Sequence, residues 1–224
     1  MKKISLFALA LTTSLAMYAQ NETVTKMAVK PRFGIKAGAN LAKLRPQSYP
    51  TGIDLETNTH TTLHAGFLVN LPLGTGGFAL QPEVLYNGQG SKMNLKTTTP
   101  ATSQKFEQDM KFLTVPVMFQ WKSTGGFFVE TGPQIGFLLK AKVEGDGISQ
   151  DEEENDDSYE NFEFSWGAGL GYMSRIGLGI GARYNHGISN LLKGETGGNN
   201  GGNEAELKSS VINIGLFYHF GAAK

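Results

Sequence analysis

The sequence of 224 residues contains no cysteine. Disulfide bridges, thiolate zinc sites and cysteine nucleophiles are therefore excluded. An excess of charge of one sign is also lacking, because 20 lysines and arginines balance 20 aspartates and glutamates. Nucleic acid needs a basic face, so this balance argues against it as a partner. Beyond the amino terminus, no apolar run approaches the roughly 20 residues that a membrane-spanning helix needs.

Residues 1–19 are predicted to be a secretory signal peptide. Lys2 and Lys3 form a positive start, an apolar run extends from Ile4 to Met17, and Ala19 precedes the expected cleavage site. The run is too short for a membrane anchor helix. Removing the two lysines lowers the formal net charge from 0 to −2.

Eight segments of the remaining chain alternate apolar and polar residues with period two, which predicts β-strands. In the first segment, Phe33 and Ile35 alternate with Gly34 and Lys36, and in the fifth the pattern directs Lys140 to the polar face. The predicted strands are 33–44, 61–71, 78–91, 106–121, 127–143, 161–173, 176–187 and 206–220.

The connections between these segments alternate in length. Short, glycine-rich turns follow the second, fourth and sixth segments, whereas the stretches 45–60, 92–105, 144–160 and 188–205 are long. This alternation is typical of an all-β, eight-stranded antiparallel up-and-down transmembrane β-barrel with short periplasmic turns and long extracellular loops. We expect a periplasmic segment over 20–32 and the barrel domain over 33–224.

A soluble β-sandwich or lipocalin-like barrel is the alternative, and alternation alone does not decide between the two. The aromatic residues do, because they form two groups near the two ends of the strands, as in the girdles of a lipid-facing surface. The group near the short turns contains Phe33, Phe78, Trp121, Phe127, Tyr172 and Tyr218. The group near the long connections contains Tyr86, Phe162, Phe164, Trp166 and Tyr184.

Several phrases resemble the PorT-like outer-membrane β-barrel family. They are FGIKAGAN at 33–40, QPEVLY at 81–86, FLTVPV at 112–117, FVETGPQIG at 128–136, GAGLGY at 167–172 and GARYNHGISN at 181–190. The resemblance spans the mature chain in order and implies a barrel in the outer membrane of a Gram-negative bacterium. It implies contact with outer-membrane lipid and lipopolysaccharide, and insertion by the barrel-assembly machinery. Members are often labelled porins, and one branch assists a protein-secretion system.

Four charged residues are expected to project into the barrel at similar depth: Lys36, Glu83, Glu130 and Arg183. Polar neighbours are expected beside them at Asn40, His64, Gln81, Gln134, Asn185 and Asn213. An eight-stranded barrel is just wide enough for side chains to fill it. The favoured interpretation is a salt-bridged plug that pairs buried charges. The other is a gated polar path for ions or small solutes.

The segment 144–163 holds ten of the twenty acidic residues. A solvated surface loop is the simpler interpretation. A candidate cation-binding loop is the other, since hard cations take carboxylate oxygens. Its ligands would be Asp151, Glu152, Glu153, Glu154, Asp156 and Asp157.

The case for an enzyme is weak. His186 lies near Ser189, and His60 lies near Asp54 and Glu56, but such neighbours are common without chemistry. No phosphate-binding loop, dinucleotide motif or zinc-ligand spacing is present, so no cofactor is expected. We expect a non-enzymatic barrel that acts structurally or through its extracellular loops, in surface binding, envelope integrity or secretion. A narrow channel is the alternative, and a barrel lipase or protease a remote one.

Overall fold

This computed structural model describes residues 30–47, 53–98, 101–145, 148–152, 159–192 and 206–221, which form nine β-strands. The strands are β1 (Arg32–Gln47), β2 (Ile53–Pro72), β3 (Phe78–Thr98), β4 (Ala101–Lys122), β5 (Phe127–Gly145), β6 (Ile148–Glu152), β7 (Phe162–Met173), β8 (Leu178–Gly187) and β9 (Glu206–His219). The signal peptide and most of the segment 20–32 lie outside the described residues.

Eight of these strands close into one antiparallel barrel. Their order around the sheet is β4, β3, β2, β1, β9, β8, β7 and β5, and pairing of β4 with β5 completes the ring. Strand β6 pairs only with the last residues of β5 and stands outside the ring. The predicted eight-stranded antiparallel up-and-down barrel is therefore confirmed.

The two faces of the barrel wall are inverted relative to a soluble protein. Leu63 and Leu170 on the outside are 71% and 64% exposed, whereas Asn40 and Ser91 on the inside are completely buried. Strand β7 alternates in this way along its length. A surface this apolar requires lipid as its solvent, so the soluble alternative is wrong.

The described part of the chain contains no helix that is long and apolar enough to cross a membrane.

Three tight turns define one end of the barrel, which we call the short-turn end. They occupy 73–77, 123–126 and 174–177, and each finishes on a glycine with positive φ: Gly77, Gly126 and Gly177. A side chain at Gly77 or Gly126 would also collide with the backbone of the neighbouring strand, since its Cβ would lie 2.2 Å from the Lys122 carbonyl oxygen or 2.4 Å from that of Met173. The first residues of β1 and the last residues of β4 and β9 lie at this same end of the barrel.

The opposite end differs from the sequence prediction. Most of the predicted loops 45–60 and 92–105 is strand, because β2 begins at Ile53 and β3 and β4 are separated only by residues 99 and 100. The predicted loop 144–160 likewise contains β6. Outside lipid both faces of a strand can be polar, so the alternation fades while the backbone pairing continues. The alternating pattern therefore predicts only the part of each strand that faces lipid, and not the full length of the strand.

A bulge corrects the expected orientation of Lys140. Lys111 pairs with Lys140 but Phe112 pairs with Leu138, so β5 carries one extra residue there. A bulge reverses the side to which the following side chains point. Lys140 is consequently exposed, and the neighbouring Ala141 is buried.

Candidate functional site

The lumen contains a cluster of four charged side chains, each within the first six residues of its strand counted from the short-turn end. Arg183 on β8 points inward between the exposed Tyr184 and the partly exposed Ala182. Two glycines on the inner face of β7 make room for it. A Cβ at Gly167 would lie 3.3 Å from Arg183 Cδ, and one at Gly169 would lie 3.1 Å from Glu130 Oε1. The side chains that these glycines lack would occupy the space that Arg183 and Glu130 fill.

Arg183 binds two carboxylates at once. Its Nη1 and Nη2 donate to Glu83 at 3.0 and 2.7 Å, and its Nε donates to Glu130 at 2.6 Å. Lys36 forms a second ion pair with Glu83 at 3.4 Å. Two cations thus meet two anions, and the formal charge of the cluster is zero. Pairing of this kind offsets the cost of removing charges from water.

Amide side chains donate further hydrogen bonds to both carboxylates. Gln81 donates to Glu83 at 2.9 Å, and Gln120 donates to Glu130 at 2.7 Å. Asn70 then donates to the carbonyl oxygens of both glutamines, at 3.1 and 3.0 Å. Asn70 and Gln120 are not among the predicted lumen residues, although both occupy inward positions of the period-two pattern.

A second polar layer surrounds Asn40, on the side of the cluster away from the short turns. Asn40 donates to Asn87 at 2.8 Å, and its oxygen accepts a hydrogen bond from Asn213 and lies 2.6 Å from His64 Nδ1. Asn185 donates in turn to Asn213. Gln134, also expected in the lumen, is buried, but among the described residues it forms no side-chain hydrogen bond with this group. The layer is a nearly continuous amide network across the barrel.

Glu163 is a buried lumen residue that the sequence analysis placed in the acidic surface segment. It is 1% exposed, accepts a hydrogen bond from Gln89 at 2.7 Å, and accepts another from Ser209. Its position between Phe162 and Phe164, which face outward in the pattern, is the signal that could have identified it. The surface-loop interpretation is wrong for this residue.

Apolar groups close the lumen at both ends. The far end is filled by a buried cluster of Leu44, Met110, Phe112, Ala141, Leu191 and Leu207. The short-turn end has a layer of Leu68, Phe128, Met173 and Phe217, in which the rings of Phe128 and Phe217 are 5.7 Å apart. Beside Arg183 the free volume is about 10 Å³. That is roughly the space of one water molecule, so side chains fill the lumen almost completely beside Arg183.

The side chains of the candidate cation-binding residues lie outside the described part of the structure. Asp151 and Glu152 belong to β6, but their side chains are not among those described, and Glu153, Glu154, Asp156 and Asp157 lie outside the described residues. Among the side chains that are described, no group of three histidines or carboxylates could hold a metal ion.

The two candidate histidines have other neighbours. His186 Nδ1 lies 3.4 Å from the hydroxyl of Tyr184, while the hydroxyl of Ser189 accepts a hydrogen bond from the Phe164 amide at 2.8 Å. His60 lies 3.2 Å from Glu107 and 4.0 Å from Asp109 on β4. The side chains of Asp54 and Glu56 are not described. The structure therefore does not assemble a Ser–His pair at Ser189.

The aromatic residues of both predicted groups lie on the outer surface. Phe33 and Phe127 are 63% and 68% exposed at the short-turn end, and Tyr86 and Trp166 are 50% and 47% exposed on the other side. Phe164 is only partly exposed. Between the two groups the exposed side chains are mostly aliphatic, with Phe67 as an aromatic exception, and this is the distribution expected of a bilayer-crossing surface.

Comparison with known proteins supports the same location. The model of the family described as "Outer membrane protein beta-barrel domain" matches residues 18–193. Among solved structures, the chain is similar to Ail of Yersinia pestis, an attachment invasion locus protein, with 14% identity, a TM-score of 0.45, and coverage of 85% of this chain and 99% of the other. Neisserial surface protein A has 14% identity, a TM-score of 0.44, and coverage of 84% and 97%. The outer membrane protease OmpT of Escherichia coli has 10% identity, a TM-score of 0.38, and coverage of 89% and 99%. No curated protein matches the sequence.

Proposed function

The chain belongs to the outer membrane protein β-barrel domain family, and on that premise we propose that it is a non-enzymatic barrel that acts through the part of its wall outside the membrane. The observation that carries the proposal is the height of that wall. Strands β3 and β4 contain 21 and 22 residues and stay paired from Phe78 and Trp121 to Thr98 and Ala101. A strand crosses the outer membrane with about 9–11 residues.

The projecting wall is one-sided. Strands β7 and β8, with 12 and 10 residues, are only as long as the bilayer requires. The upper parts of β2 to β5, together with β6, therefore stand above the cell surface as an extended sheet. Ordering so many residues costs conformational entropy that a purely structural barrel does not need to lose.

One side of this sheet is an open edge. Residues 53–59 of β2 pair with β3, whereas the pairing of β2 with β1 ends at His60 and Ala42. Among the described residues no strand covers β2 over 53–59. Unpaired backbone groups on an edge strand are a template for strand addition by a partner. The edge supports surface binding as the form that the activity takes.

The filled lumen supports this proposal over a channel. Side chains of Lys36, Glu83, Glu130 and Arg183 satisfy one another at the centre, and apolar clusters close both ends. A narrow channel for ions or small solutes is the alternative, and it would require these layers to move.

Membership of the PorT-like family, one branch of which assists secretion, forms a finer part of the proposal. Phrases such as 81–86 and 181–190 support it. It would make a secretion system one kind of surface partner, with lipopolysaccharide around the barrel and the barrel-assembly machinery acting during insertion.

Trimming the projecting sheet tests the proposal. Ser91 pairs directly with Gln108, so the residues between them can be replaced by a two-residue Asn-Gly turn that suits a hairpin. We expect the trimmed protein to insert and to show heat-modifiable gel mobility. It should fail to rescue the envelope and surface-binding defects of a deletion strain.

The matched control is deletion of residues 196–203, a glycine- and asparagine-rich stretch that lies outside the projecting strands. This variant should rescue as well as the wild type. Full rescue by a folded, trimmed protein would show that the projecting sheet is not the functional element.

Single-channel conductance of the folded full-length protein in planar bilayers tests the channel alternative. We expect no openings. Steady openings that widen or vanish in Glu83→Ala, Glu130→Ala or Arg183→Ala variants would instead make the lumen the functional site.

A further inference from the structure

A vestibule lies at the short-turn mouth of the barrel, at the opposite end from the projecting sheet. Its volume is about 180 Å³, and its rim includes Gly74, Thr75 and Gly77 of the first short turn. Since the short turns face the periplasm in this family of barrels, the vestibule is presented to the periplasm. The proposed surface function does not involve it.

Three basic residues from separate strands line the vestibule. Arg32 is the first residue of β1, Lys122 is the last of β4, and His219 is the last of β9. None of the described residues that line it is acidic. Arg32 and Lys122 lie close enough to repel each other, and neither forms an ion pair with a carboxylate of the described residues. An anion between them would remove this repulsion.

His219 is built into the wall of the vestibule. It is 2% exposed, and neither ring nitrogen has a hydrogen-bond partner among the described residues. Phe217 packs against its ring with the centroids 5.3 Å apart. On the other side, a Cβ at Gly34 would lie 3.1 Å from His219 Cδ2. A buried polar group without a partner is costly, and an imidazole always has at least one N–H to donate or one nitrogen to accept.

The polar side chains at the inner end of the vestibule already have hydrogen-bond partners; we call these side chains, Asn70, Gln81 and Gln120, the roof. The amide nitrogen of Asn70 donates to Gln81 and Gln120, which in turn donate to the carboxylates of the central cluster. Phe128 and Phe217 form an apolar wall beside this roof. The groups that remain to meet a ligand are therefore the cations of Arg32 and Lys122 and the unpartnered ring nitrogens of His219.

We propose that this vestibule binds a phosphate group presented from the periplasmic side. A phosphate offers several strong acceptor oxygens to separate donors and carries enough negative charge to balance two cations. The phosphate could be carried by a soluble periplasmic phosphate ester or by a phospholipid headgroup of the inner leaflet. The chemistry of recognition is the same for both sources.

Titration of glycerol 1-phosphate tests the proposal. The full-length protein is folded in uncharged detergent micelles, its gel mobility is checked, and the His219 imidazole signals are followed by NMR, with His219→Gln identifying them. We expect saturable shifts in the wild type. Arg32→Gln and Lys122→Gln should each raise the dissociation constant by about tenfold, since each removes one charge-assisted contact.

Arg175→Gln is the matched control. Arg175 is exposed in the third short turn, at the same end of the barrel, and does not line the vestibule. The substitution changes the net charge equally and should leave the dissociation constant unchanged. Equal weakening by all three substitutions would reduce the effect to bulk electrostatics and overturn the proposal.

Nanodiscs separate the two sources of phosphate. If His219 shifts on transfer from phosphate-free galactolipid to phosphatidylglycerol, and glycerol 1-phosphate then adds nothing, a lipid headgroup is the ligand. If glycerol 1-phosphate shifts His219 equally in both lipids, a soluble ester is the ligand. Absence of a shift with either source in folded protein would overturn the proposal.

Discussion

Arg183 on β8 holds Glu83 on β3, across the lumen, through two parallel hydrogen bonds of 3.0 and 2.7 Å. The third nitrogen of the same guanidinium, Nε, donates a hydrogen bond to Glu130 on β5. Three strands that are not neighbours in the sheet are thereby connected through the interior. Only the planar, forked geometry of arginine makes all three contacts at once.

Arg183→Lys should therefore not act as a conservative substitution. Lysine keeps the charge but cannot reach both carboxylates, and we expect the free energy of unfolding to fall by about 2–3 kcal/mol. Urea unfolding in micelles, followed by tryptophan fluorescence, measures the change. Arg175→Lys at the exposed turn serves as control and should change stability by less than about 0.5 kcal/mol. Equal stability of the two variants would contradict the connecting role of Arg183.

Two glycines on β8 give a test of packing near the aromatic layer. A Cβ at Gly179 would lie 2.2 Å from the Phe217 ring, whereas one at Gly181 would have its nearest neighbour at 3.5 Å. Gly179→Ala should destabilise the barrel by about 1–3 kcal/mol through overpacking. Gly181→Ala should be neutral or stabilise the strand by roughly 0.5 kcal/mol. The same unfolding assay compares them, and the reverse order would show that Phe217 can relocate freely.

The lipid-facing surface predicts a dependence on depth. Phe67 is 69% exposed halfway along the membrane-crossing part of β2, and Leu73 is exposed in the first short turn. Phe67→Lys should cost about 2–4 kcal/mol and Leu73→Lys only about 0–1 kcal/mol. Reversible folding into lipid vesicles measures both values. Similar costs at the two positions would mean that the bilayer does not cover Phe67.

Adjacent residues on β4 separate the contribution of the far apolar cluster from that of the lipid-facing wall. Phe112 is completely buried in the cluster, and Leu113 is partly exposed on the outer face. Phe112→Ala should destabilise the protein by about 3–5 kcal/mol because it leaves a cavity. Leu113→Ala should cost about 1 kcal/mol, since lipid can fill the space. Neither variant should conduct ions, because the charged cluster still fills the centre; conduction by folded Phe112→Ala would identify the apolar cluster as the only barrier.

Much of the fold could be predicted because lipid and lumen impose opposite polarity on alternate residues. Every predicted strand corresponds to an observed one, and the charged and polar lumen residues, from Lys36 to Asn213, occupy inward positions. Prediction failed where that constraint ends. Above the bilayer the strands continue without alternation, so residues 53–60 and 92–98 resembled loops although they are paired. A single extra residue in β5 was also sufficient to reverse the side that Lys140 faces.

The site was only partly predictable for a related reason. The period-two pattern predicts the face on which a side chain lies, but it does not predict which side chain it contacts across the barrel. Glu163 was hidden within an acidic stretch, and the contribution of Asn70 and Gln120 depends on carboxylates from other strands.

The sequence by itself determined that this chain forms a small barrel in the outer membrane with an apolar exterior and a polar lumen, because the pattern follows from the solvent on each side of every strand. The tertiary structure decided the rest. Closure of β4 onto β5 sets the width of the lumen, and with it the bidentate contact of Arg183 with Glu83. It also brings Arg32, Lys122 and His219, which are far apart in the chain, to one periplasmic mouth. These relations depend on register and circumference, which are properties of the closed sheet and not of any one strand.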